Sequence, residues 1–300
     1  MDKSMMHVRV PASTANLGPG FDCLGIALNL YNDIYMELSG KELTIEVSGE
    51  GQLFIERNEE NLVYKAAKKI FDRLNIKLSG LKIKTVNEIP LGSGLGSSAA
   101  AIIGGMVLAN RICGNPLSSD DILDLASEME GHADNVGPSL NGGFNVATYD
   151  GVKTLYIKKR IDDDINFIAF YPNREVKTRR ARGVLPERID YKNAVFNVGR
   201  ASLLTAAFMT GDYAKLRYAT EDMLHQVYRK ELIPELYFVI EAALMGGAYG
   251  AFLSGAGPTM MAVSSNDMLD NVIKSVEAVY RDRNIPLKIY RLKCDNIGAK

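Results

Sequence analysis

Short segments of alternating hydrophobic and polar residues are separated along this chain by segments with helical spacing. Apolar residues three and four positions apart predict a helix over residues 61–74, for which Asn61 is a candidate N-cap. Alternation with β-branched residues and Tyr predicts strands in four early segments. These are residues 7–10, 23–38, 43–47 and 81–86.

Residues 11–22 separate the first two predicted strands. They begin at a proline and are rich in Ser, Thr, Asn and Gly, a composition typical of a loop. We therefore expect the first strand to end at residue 10.

The central part of the chain combines two predicted helices with a hairpin. An almost uncharged segment predicts a buried helix over residues 99–112, and a capped segment predicts another over residues 120–130. Two short apolar runs, residues 142–148 and 152–157, flank an Asp-Gly turn and are typical of a hairpin.

The second half repeats the mixture of strands and helices. Predicted strands cover residues 165–171, 248–253, 259–264 and 287–292. Predicted helices cover residues 193–209, 213–225, 235–245 and 267–283. A charge-rich segment, residues 158–164, is the best boundary, so we expect domains at residues 1–158 and 159–300. Short strands with segregated helices indicate an α+β protein in two halves.

Composition narrows the classes of function. Of 300 residues, 47% are hydrophobic and the formal net charge is −1, which argues against a nucleic-acid partner. Cys23, Cys113 and Cys294 form no C-x-x-C pair, so neither a zinc site nor a disulfide framework is expected. The N-terminus carries Asp2 and Lys3 without a signal-like apolar segment, and no apolar run could span a membrane. A cytoplasmic protein is expected.

The densest chemical signal lies at residues 90–100, which read Pro-Leu-Gly-Ser-Gly-Leu-Gly-Ser-Ser-Ala-Ala. Alternate glycines let backbone N–H groups approach a ligand, and the following helix N-terminus favours a phosphate. Ser97 and Ser98 can add hydroxyl contacts to phosphate or Mg²⁺. No lysine follows the glycines, so this is not a Walker A loop, and the sequence around them also departs from the dinucleotide fingerprint.

Three segments resemble the motifs of the GHMP kinases, a family of galactokinase, homoserine kinase, mevalonate kinase and phosphomevalonate kinase. Residues 90–100 resemble the second motif, and residues 253–259 (Leu-Ser-Gly-Ala-Gly-Pro-Thr) resemble the third. Residues 11–22 (Pro-Ala-Ser-Thr-Ala-Asn-Leu-Gly-Pro-Gly-Phe-Asp) are similar to the first motif in its homoserine kinase form. The resemblance implies a two-domain fold, with an N-terminal, ATP-binding domain like the second domain of ribosomal protein S5 and a ferredoxin-like C-terminal domain.

The resemblance also implies an ATP site. Asn61 stands where the family lines its adenine pocket, although it serves equally well as a plain helix cap. The other implied ATP-binding residues are Pro90, Leu91, Gly92, Ser93, Gly94, Leu95, Gly96, Ser97, Ser98, Ala99 and Ala100.

Residues 128–139, which contain Glu-Gly-His-Ala-Asp-Asn-Val, are similar to the homoserine kinase version of this region. The resemblance implies Glu130 as a Mg²⁺ ligand together with Ser97 or Ser98. It implies that Asn135 orients the acceptor hydroxyl and that Asp134 binds the amino acid, catalysis resting on positioning and charge stabilisation. Asp134 as a general base is the alternative. His132, a lone histidine there, is expected to be hydrogen-bonded and structural.

Homoserine is a zwitterion, so its site needs an anion and a cation. By resemblance, Asn16 and Asp22 serve the ammonium group. Arg182 and Arg229 serve the carboxylate, because the guanidinium fork matches it bidentately. Thr178 and Gly255, in the matching segments, complete the expected substrate-binding set. His7 and His225 fit no pattern.

Three alternative functions would each require other residues. Another GHMP kinase would act on mevalonate, a phosphorylated isoprenoid precursor or a sugar. A silent sensor with the same fold would have lost Glu130, a loop serine or the third-motif glycines, and all are present. A dinucleotide oxidoreductase needs an acidic residue about 20 positions after the glycines, on a second parallel strand. The sequence instead predicts an unbroken helix there, up to residue 112. The favoured product is O-phosphohomoserine, for threonine synthesis. Many homoserine kinases are dimers, so a homodimer is an expectation.

Overall fold

The first half of the chain forms a mixed sheet covered by helices. The computed structural model describes residues 5–40 and 42–300, so Asp2 and Lys3 lie outside the described residues. The elements of this half are β1 (Met6–Asn16), β2 (Gly20–Leu38), β3 (Leu43–Gly49), α1 (Leu62–Arg73), β4 (Leu81–Asn87), α2 (Ser97–Ile112), α3 (Ser119–Glu130), α4 (Val136–Asn141), β5 (Phe144–Tyr149) and β6 (Thr154–Lys159).

The first sheet has the strand order β3-β4-β2-β5-β6, and β1 also pairs with β2. Strand β3 runs parallel to β4, whereas the other pairs are antiparallel. Helix α1 packs against α2, which contacts β1 and β2. Because α2 is almost uncharged, its side chains from Ala99 to Asn110 are nearly all buried in the core.

The prediction of a loop over residues 11–22 is wrong. Strand β1 continues to Asn16 and β2 begins at Gly20, so only three residues connect them. Pro11 is tolerated because the register shifts between Pro11 and Ala12, and a bulge is a position where a strand accepts proline. The small polar side chains that suggested a loop, those of Ser13, Thr14 and Asn16, are buried.

The second half has the strand order of a ferredoxin-like sheet. Its elements are β7 (Asn166–Tyr171), α5 (Thr178–Gly183), α6 (Tyr191–Thr210), α7 (Leu216–Ala219), α8 (Gln226–Arg229), α9 (Leu236–Met245), β8 (Gly250–Leu253), β9 (Met260–Ser264), α10 (Leu269–Asp282) and β10 (Lys288–Leu292). The strands pair antiparallel in the order β10-β7-β9-β8. The predicted α+β class is confirmed.

The predicted helix over residues 213–225 is wrong. A 3₁₀ turn and the short α7 occupy its first half, and an irregular segment leads to α8. There the Asp222 carboxylate accepts the backbone N–H groups of Leu224, His225 and Gln226, directly before α8.

The last residues of the chain return to the first sheet. Arg9 and Lys300 exchange backbone hydrogen bonds, and Leu28 forms an isolated bridge with Cys294. The predicted boundary between residues 158 and 159 lies at the end of β6 and stays a prediction. In the described part of the chain, no helix has the length and apolar character needed to cross a membrane.

Candidate active site

The glycine-rich loop between β4 and α2 is held in shape by its own hydrogen bonds and by positive φ angles. Gly92, Gly94 and Gly96 have φ of 56°, 85° and 73°. Ser93 Oγ donates to the carbonyl oxygen of Pro90 and accepts the N–H of Leu95. Gly96 caps α2 without a side-chain bond, so the first N–H groups of this helix remain available to an anion.

The first and third motif segments pack against this loop. Ser254 Oγ donates to the carbonyl oxygen of Gly94 over 2.7 Å and lies 2.8 Å from Thr14 Oγ1. Gly255 N–H donates to the carbonyl oxygen of Ala15 at 3.1 Å. A Cβ on Gly94 would lie 2.2 Å from the carbonyl oxygen of Ser254, so only glycine fits there.

Glu130 ends α3 beside the start of α2. Ser98 Oγ donates to Glu130 Oε2 over 3.0 Å, and Ser97 lines the same cavity. Burial raises the pKa of Glu130. A hydroxyl and a carboxylate thus meet next to the helix N-terminus, and such oxygen groups are the protein ligands that Mg²⁺ takes when phosphates complete its shell.

Asp134 and Asn135 follow Glu130 on the short connection to α4. His132 Nδ1 lies 2.5 Å from Asp134 Oδ1, so His132 is hydrogen-bonded as predicted. Although burial alone would lower it, the pKa of His132 is raised by the hydrogen bond and charge of Asp134. Asn135 Nδ2 donates to Ser13 Oγ at 2.9 Å, which leaves its Oδ1 without a partner among the described residues.

Asp22 and Arg182 form a two-bond ion pair at the cavity wall. The guanidinium donates to both carboxylate oxygens, at 2.7 and 3.0 Å. The Asp22 carboxylate raises the pKa of Arg182. Asn16 holds the turn that carries Asp22, since its Oδ1 accepts the Asp22 N–H and its Nδ2 donates to the carbonyl oxygen of Gly255.

Arg229 is the second cation of the cavity and is only 2% exposed. Burial lowers the pKa of Arg229 to about 10, so the group is still cationic at neutral pH. Its Nη1 donates to the carbonyl oxygen of Gly255 at 2.8 Å. Both guanidinium groups are near the ring of Phe21: its centroid is 5.3 Å from Cζ of Arg182 and 5.4 Å from Cζ of Arg229.

These groups line a single cavity of about 110 Å³. It brings together all the predicted catalytic and substrate-binding residues, namely Asn16, Asp22, Glu130, Asp134, Asn135, Thr178, Arg182, Arg229 and Gly255. It also includes part of the predicted ATP loop, namely Gly92, Ser93, Gly94, Gly96, Ser97 and Ser98. Of the remaining predicted loop residues, Pro90, Leu95, Ala99 and Ala100 are buried and line neither this cavity nor the one beside it.

A more apolar cavity of about 230 Å³ adjoins the loop. It shares Gly92, Ser97 and Ser98 with the first and includes Leu91 and Asn61. Both polar ends of Asn61 have protein partners, because Oδ1 accepts the N–H groups that begin α1 and Nδ2 donates to the carbonyl oxygen of Glu56. The interpretation of Asn61 as a helix cap is therefore confirmed. Asn61 also lines the second cavity.

Several residues of the site were missed from the sequence. Phe21 and Ser13 stood inside the first motif segment but were given no role, and Val176 and Gly257 line the cavity without having been singled out. His225, which contacts Arg229, gave no signal because it lies outside the motif segments and its other contact, with Gly18, joins residues that are far apart in the sequence.

Comparisons with known proteins agree with this arrangement. The GHMP kinases N terminal domain matches residues 61–143, and the GHMP kinases C terminal region matches residues 204–282. A homoserine kinase of Caldanaerobacter subterraneus is 52% identical over 100% of this chain and 96% of its own. One from Clostridium botulinum is 42% identical over 98% of both.

The crystal structure of homoserine kinase from Cytophaga hutchinsonii has the same fold, with a TM-score of 0.90 and 31% identity. The match covers 100% of this chain and 98% of that one. Both family regions are therefore present, and the two relatives are 52% and 42% identical over nearly the whole chain. The chain belongs to the GHMP kinase family.

Proposed function

We propose that this chain transfers the γ-phosphate of ATP to the hydroxyl of L-homoserine, which gives ADP and O-phospho-L-homoserine for threonine synthesis. As a GHMP kinase, it uses ATP. The observation that carries the substrate is the cavity with a phosphate-type loop on one side and Asp22, Arg182 and Arg229 on the other.

The charges of the cavity suit an α-amino acid. Asp22 can accept the ammonium group, and Arg229 and Arg182 can donate to the carboxylate. A ligand with a carboxylate but no ammonium group, such as mevalonate, would separate Asp22 from Arg182 without offering Asp22 a new partner. Leaving a partly buried charge unpaired costs free energy, so the site disfavours such ligands.

Mg²⁺ would be held by Glu130 with Ser98 or Ser97, and when bound it neutralises charge on the phosphates. The fit rests on the oxygen donors that converge where Ser98 meets Glu130. A Glu130→Gln variant keeps the size of the side chain and one oxygen. We expect kcat to fall at least about 100-fold with the variant folded, and the Mg²⁺ concentration for half-maximal rate to rise.

Asn135 would orient the acceptor hydroxyl through its free Oδ1, while the Ser13 hydroxyl fixes its amide. The hydroxyl oxygen bonds to the γ-phosphorus as the bond to the β-phosphate oxygen breaks, and the proton passes to solvent or phosphate. Asp134 as the base stays the alternative. An Asp134→Asn variant that retains near-normal kcat would exclude that alternative.

A coupled ADP-release assay across homoserine, mevalonate, galactose and serine tests the proposal. We expect kcat/KM for homoserine to exceed that for each other acceptor by at least about 100-fold, because no other one matches both charges and the hydroxyl distance. Absence of turnover with homoserine while ATP still binds would overturn the substrate. The expected homodimer and cytoplasmic location stay predictions.

A further inference from the structure

A fully buried histidine lies behind Arg229. His225 Nε2 is 2.7 Å from the carbonyl oxygen of Gly18, and His225 Nδ1 is 3.1 Å from Nη1 of Arg229. His225 precedes α8 and Arg229 ends it, so the two side chains lie one helical turn apart. The histidine therefore joins the turn after β1 to a guanidinium of the cavity wall.

The partners of His225 determine where its proton lies. A carbonyl oxygen only accepts, so Nε2 carries the hydrogen, and a guanidinium only donates, so Nδ1 must offer its lone pair. Only the neutral Nε2–H tautomer satisfies both contacts. Burial lowers the pKa of His225, which favours the same form. The Asp222 carboxylate is 3.7 Å from Nε2 and is already engaged by backbone N–H groups.

The hydrogen bonds of Arg229 leave one end of its guanidinium for a ligand. Nε donates to the carbonyl oxygen of Ala181 at 3.2 Å, and Nη1 donates to both Gly255 and His225. Among the described residues, Nη2 has no hydrogen-bond partner. Three of the five N–H donors thus bind protein, and the two on Nη2 remain.

We propose that His225 is a positioning residue whose Nδ1 lone pair holds the guanidinium of Arg229 so that Nη2 faces the carboxylate of the amino-acid substrate. This inference rests on the proposed function, since the carboxylate is that of homoserine. Without the acceptor, the guanidinium keeps only the bonds from Nε to Ala181 and from Nη1 to Gly255, so the direction of Nη2 is less tightly restrained. The carboxylate does not react, so ground state and transition state lose binding equally, which raises KM and leaves kcat unchanged.

Two polar variants separate the contacts of His225. In His225→Asn the side-chain oxygen can take the place of Nδ1, so the acceptor for Arg229 is kept and the bond to Gly18 is lost. In His225→Gln the amide nitrogen can reach Gly18, and the acceptor at the Nδ1 position is lost. Gln226→Met is the matched control. Gln226 is on the same helix as Arg229 but makes no hydrogen bond to it, and the substitution removes the buried hydrogen bond that Gln226 accepts from Leu253 N–H.

We expect His225→Gln to raise KM for homoserine at least tenfold, with kcat and KM for ATP within about threefold. His225→Asn and Gln226→Met should each stay within about threefold of wild type in KM for homoserine. With 3-aminopropan-1-ol, which is homoserine without its carboxylate, kcat/KM or the inhibition constant should be the same for wild type and His225→Gln.

Two outcomes overturn the inference, and both differ from failure of the proposed function. Equal KM values for the Asn and Gln variants would show that the acceptor at Nδ1 does not matter. An equal loss with 3-aminopropan-1-ol would show that the effect is general and not exerted through the carboxylate. If wild-type protein itself fails to turn over homoserine, the proposed function fails first. Thermal unfolding of each variant identifies any that do not fold.

Discussion

Arg182 pairs with Asp22 as the ammonium group of a zwitterion would, and Asp22 pairs with Arg182 as its carboxylate would. Two hydrogen bonds join them at the cavity wall. A ligand with both charges replaces one ion pair by two, whereas a ligand with one charge breaks the pair and leaves a partner unsatisfied. At the scale of single residues, we therefore expect selectivity to arise from this ion pair, in which each charge already has a partner.

Gly94 allows a residue-scale test of the phosphate loop. Gly94→Ala places a Cβ 2.2 Å from the carbonyl oxygen of Ser254, at a φ of 85°. We expect kcat/KM to fall at least about 100-fold, because the loop must shift away from the third motif segment. Gly114→Ala is the control, since its φ of 84° is similar and no atom lies within 4 Å of the new Cβ.

Gly114→Ala should cost about 1–2 kcal/mol of stability from backbone strain and leave kcat/KM unchanged. Steady-state kinetics and urea unfolding measure the two effects. Similar kinetics for both alanine variants would mean that the contact between Gly94 and Ser254 does not shape the loop.

At the scale of elements, helix starts position the chemistry. Helix α1 begins at a side-chain cap from Asn61, α3 at a capping box from Ser118, and α2 at Gly96 with no side-chain cap. Of these three helices, α2, which follows the glycine-rich loop, is the one whose first N–H groups are not taken by a capping side chain. A capping side chain there would compete with phosphate for the same donors.

Asn61 should contribute chiefly to the stability of the protein, as the N-cap of α1. Asn61→Ala removes the acceptor of two N–H groups and should lower the free energy of unfolding by about 1–2 kcal/mol. Asn61→Asp keeps the acceptor and adds a charge that the helix N-terminus favours, so most of that stability should remain. Urea unfolding followed by circular dichroism measures both. Equal losses for the two variants would contradict the cap as the origin.

A cross-strand pair should make the stability of the β1–β2 ladder depend on pH. Arg9 and Asp33 are opposite in register, and Arg9 donates two hydrogen bonds to the carboxylate. Burial opposes ionisation of Asp33, but the bonds from Arg9 and His7 outweigh it and lower the pKa. The stabilisation is therefore present above the unfolded pKa of about 3.9 and lost as pH falls below it.

Asp33→Asn should lower the free energy of unfolding by about 0.5–1 kcal/mol at pH 7. The difference from wild type should shrink as pH falls through the lowered pKa of Asp33, because the protonated carboxyl is neutral like the amide. Asp72→Asn, which breaks an exposed pair with Lys68, is the control and should change little. A difference between Asp33→Asn and wild type that is independent of pH would contradict the ion pair as its source.

At the scale of the whole molecule, the cavity exists only where the two halves meet. The glycine-rich loop, Asp22 and Glu130 come from the first half, whereas both arginines and Gly255 come from the second. The end of the chain strengthens this association, because Asp295 accepts Tyr31 Oη–H and two N–H groups of its own turn.

Asp295→Ala should lower the free energy of unfolding by about 2–3 kcal/mol, since Asp295 is 5% exposed and three donors would lose their acceptor. Asp270→Ala, which removes an exposed ion pair with Arg291, should cost less than about 0.5 kcal/mol. Chemical unfolding followed by circular dichroism compares them, since the chain contains no Trp. A decrease in the free energy of unfolding for Asp295→Ala as small as that for Asp270→Ala would mean that the end of the chain does not stabilise the first sheet through Tyr31.

The sequence by itself determined the glycine-rich loop and most helices and strands. These depend on local chemistry, such as positive φ at glycines, helix caps and the period of apolar residues, which neighbours in the chain decide. It misjudged residues 11–22 because small polar residues favour loops when considered alone. Their burial in β1 depends on partners such as Ser254 and Asn135, which are far away in sequence.

Only the tertiary structure decided how the charged groups are paired. It joined Asp22 to Arg182, bonded the side-chain amide of Asn16 to Gly255, and placed His225 against Gly18. Such contacts span up to 239 positions in the chain, and no local pattern encodes them. Hydrogen bonds and ion pairs require atoms within a few ångströms of one another, and that closeness arises only when the two halves pack together.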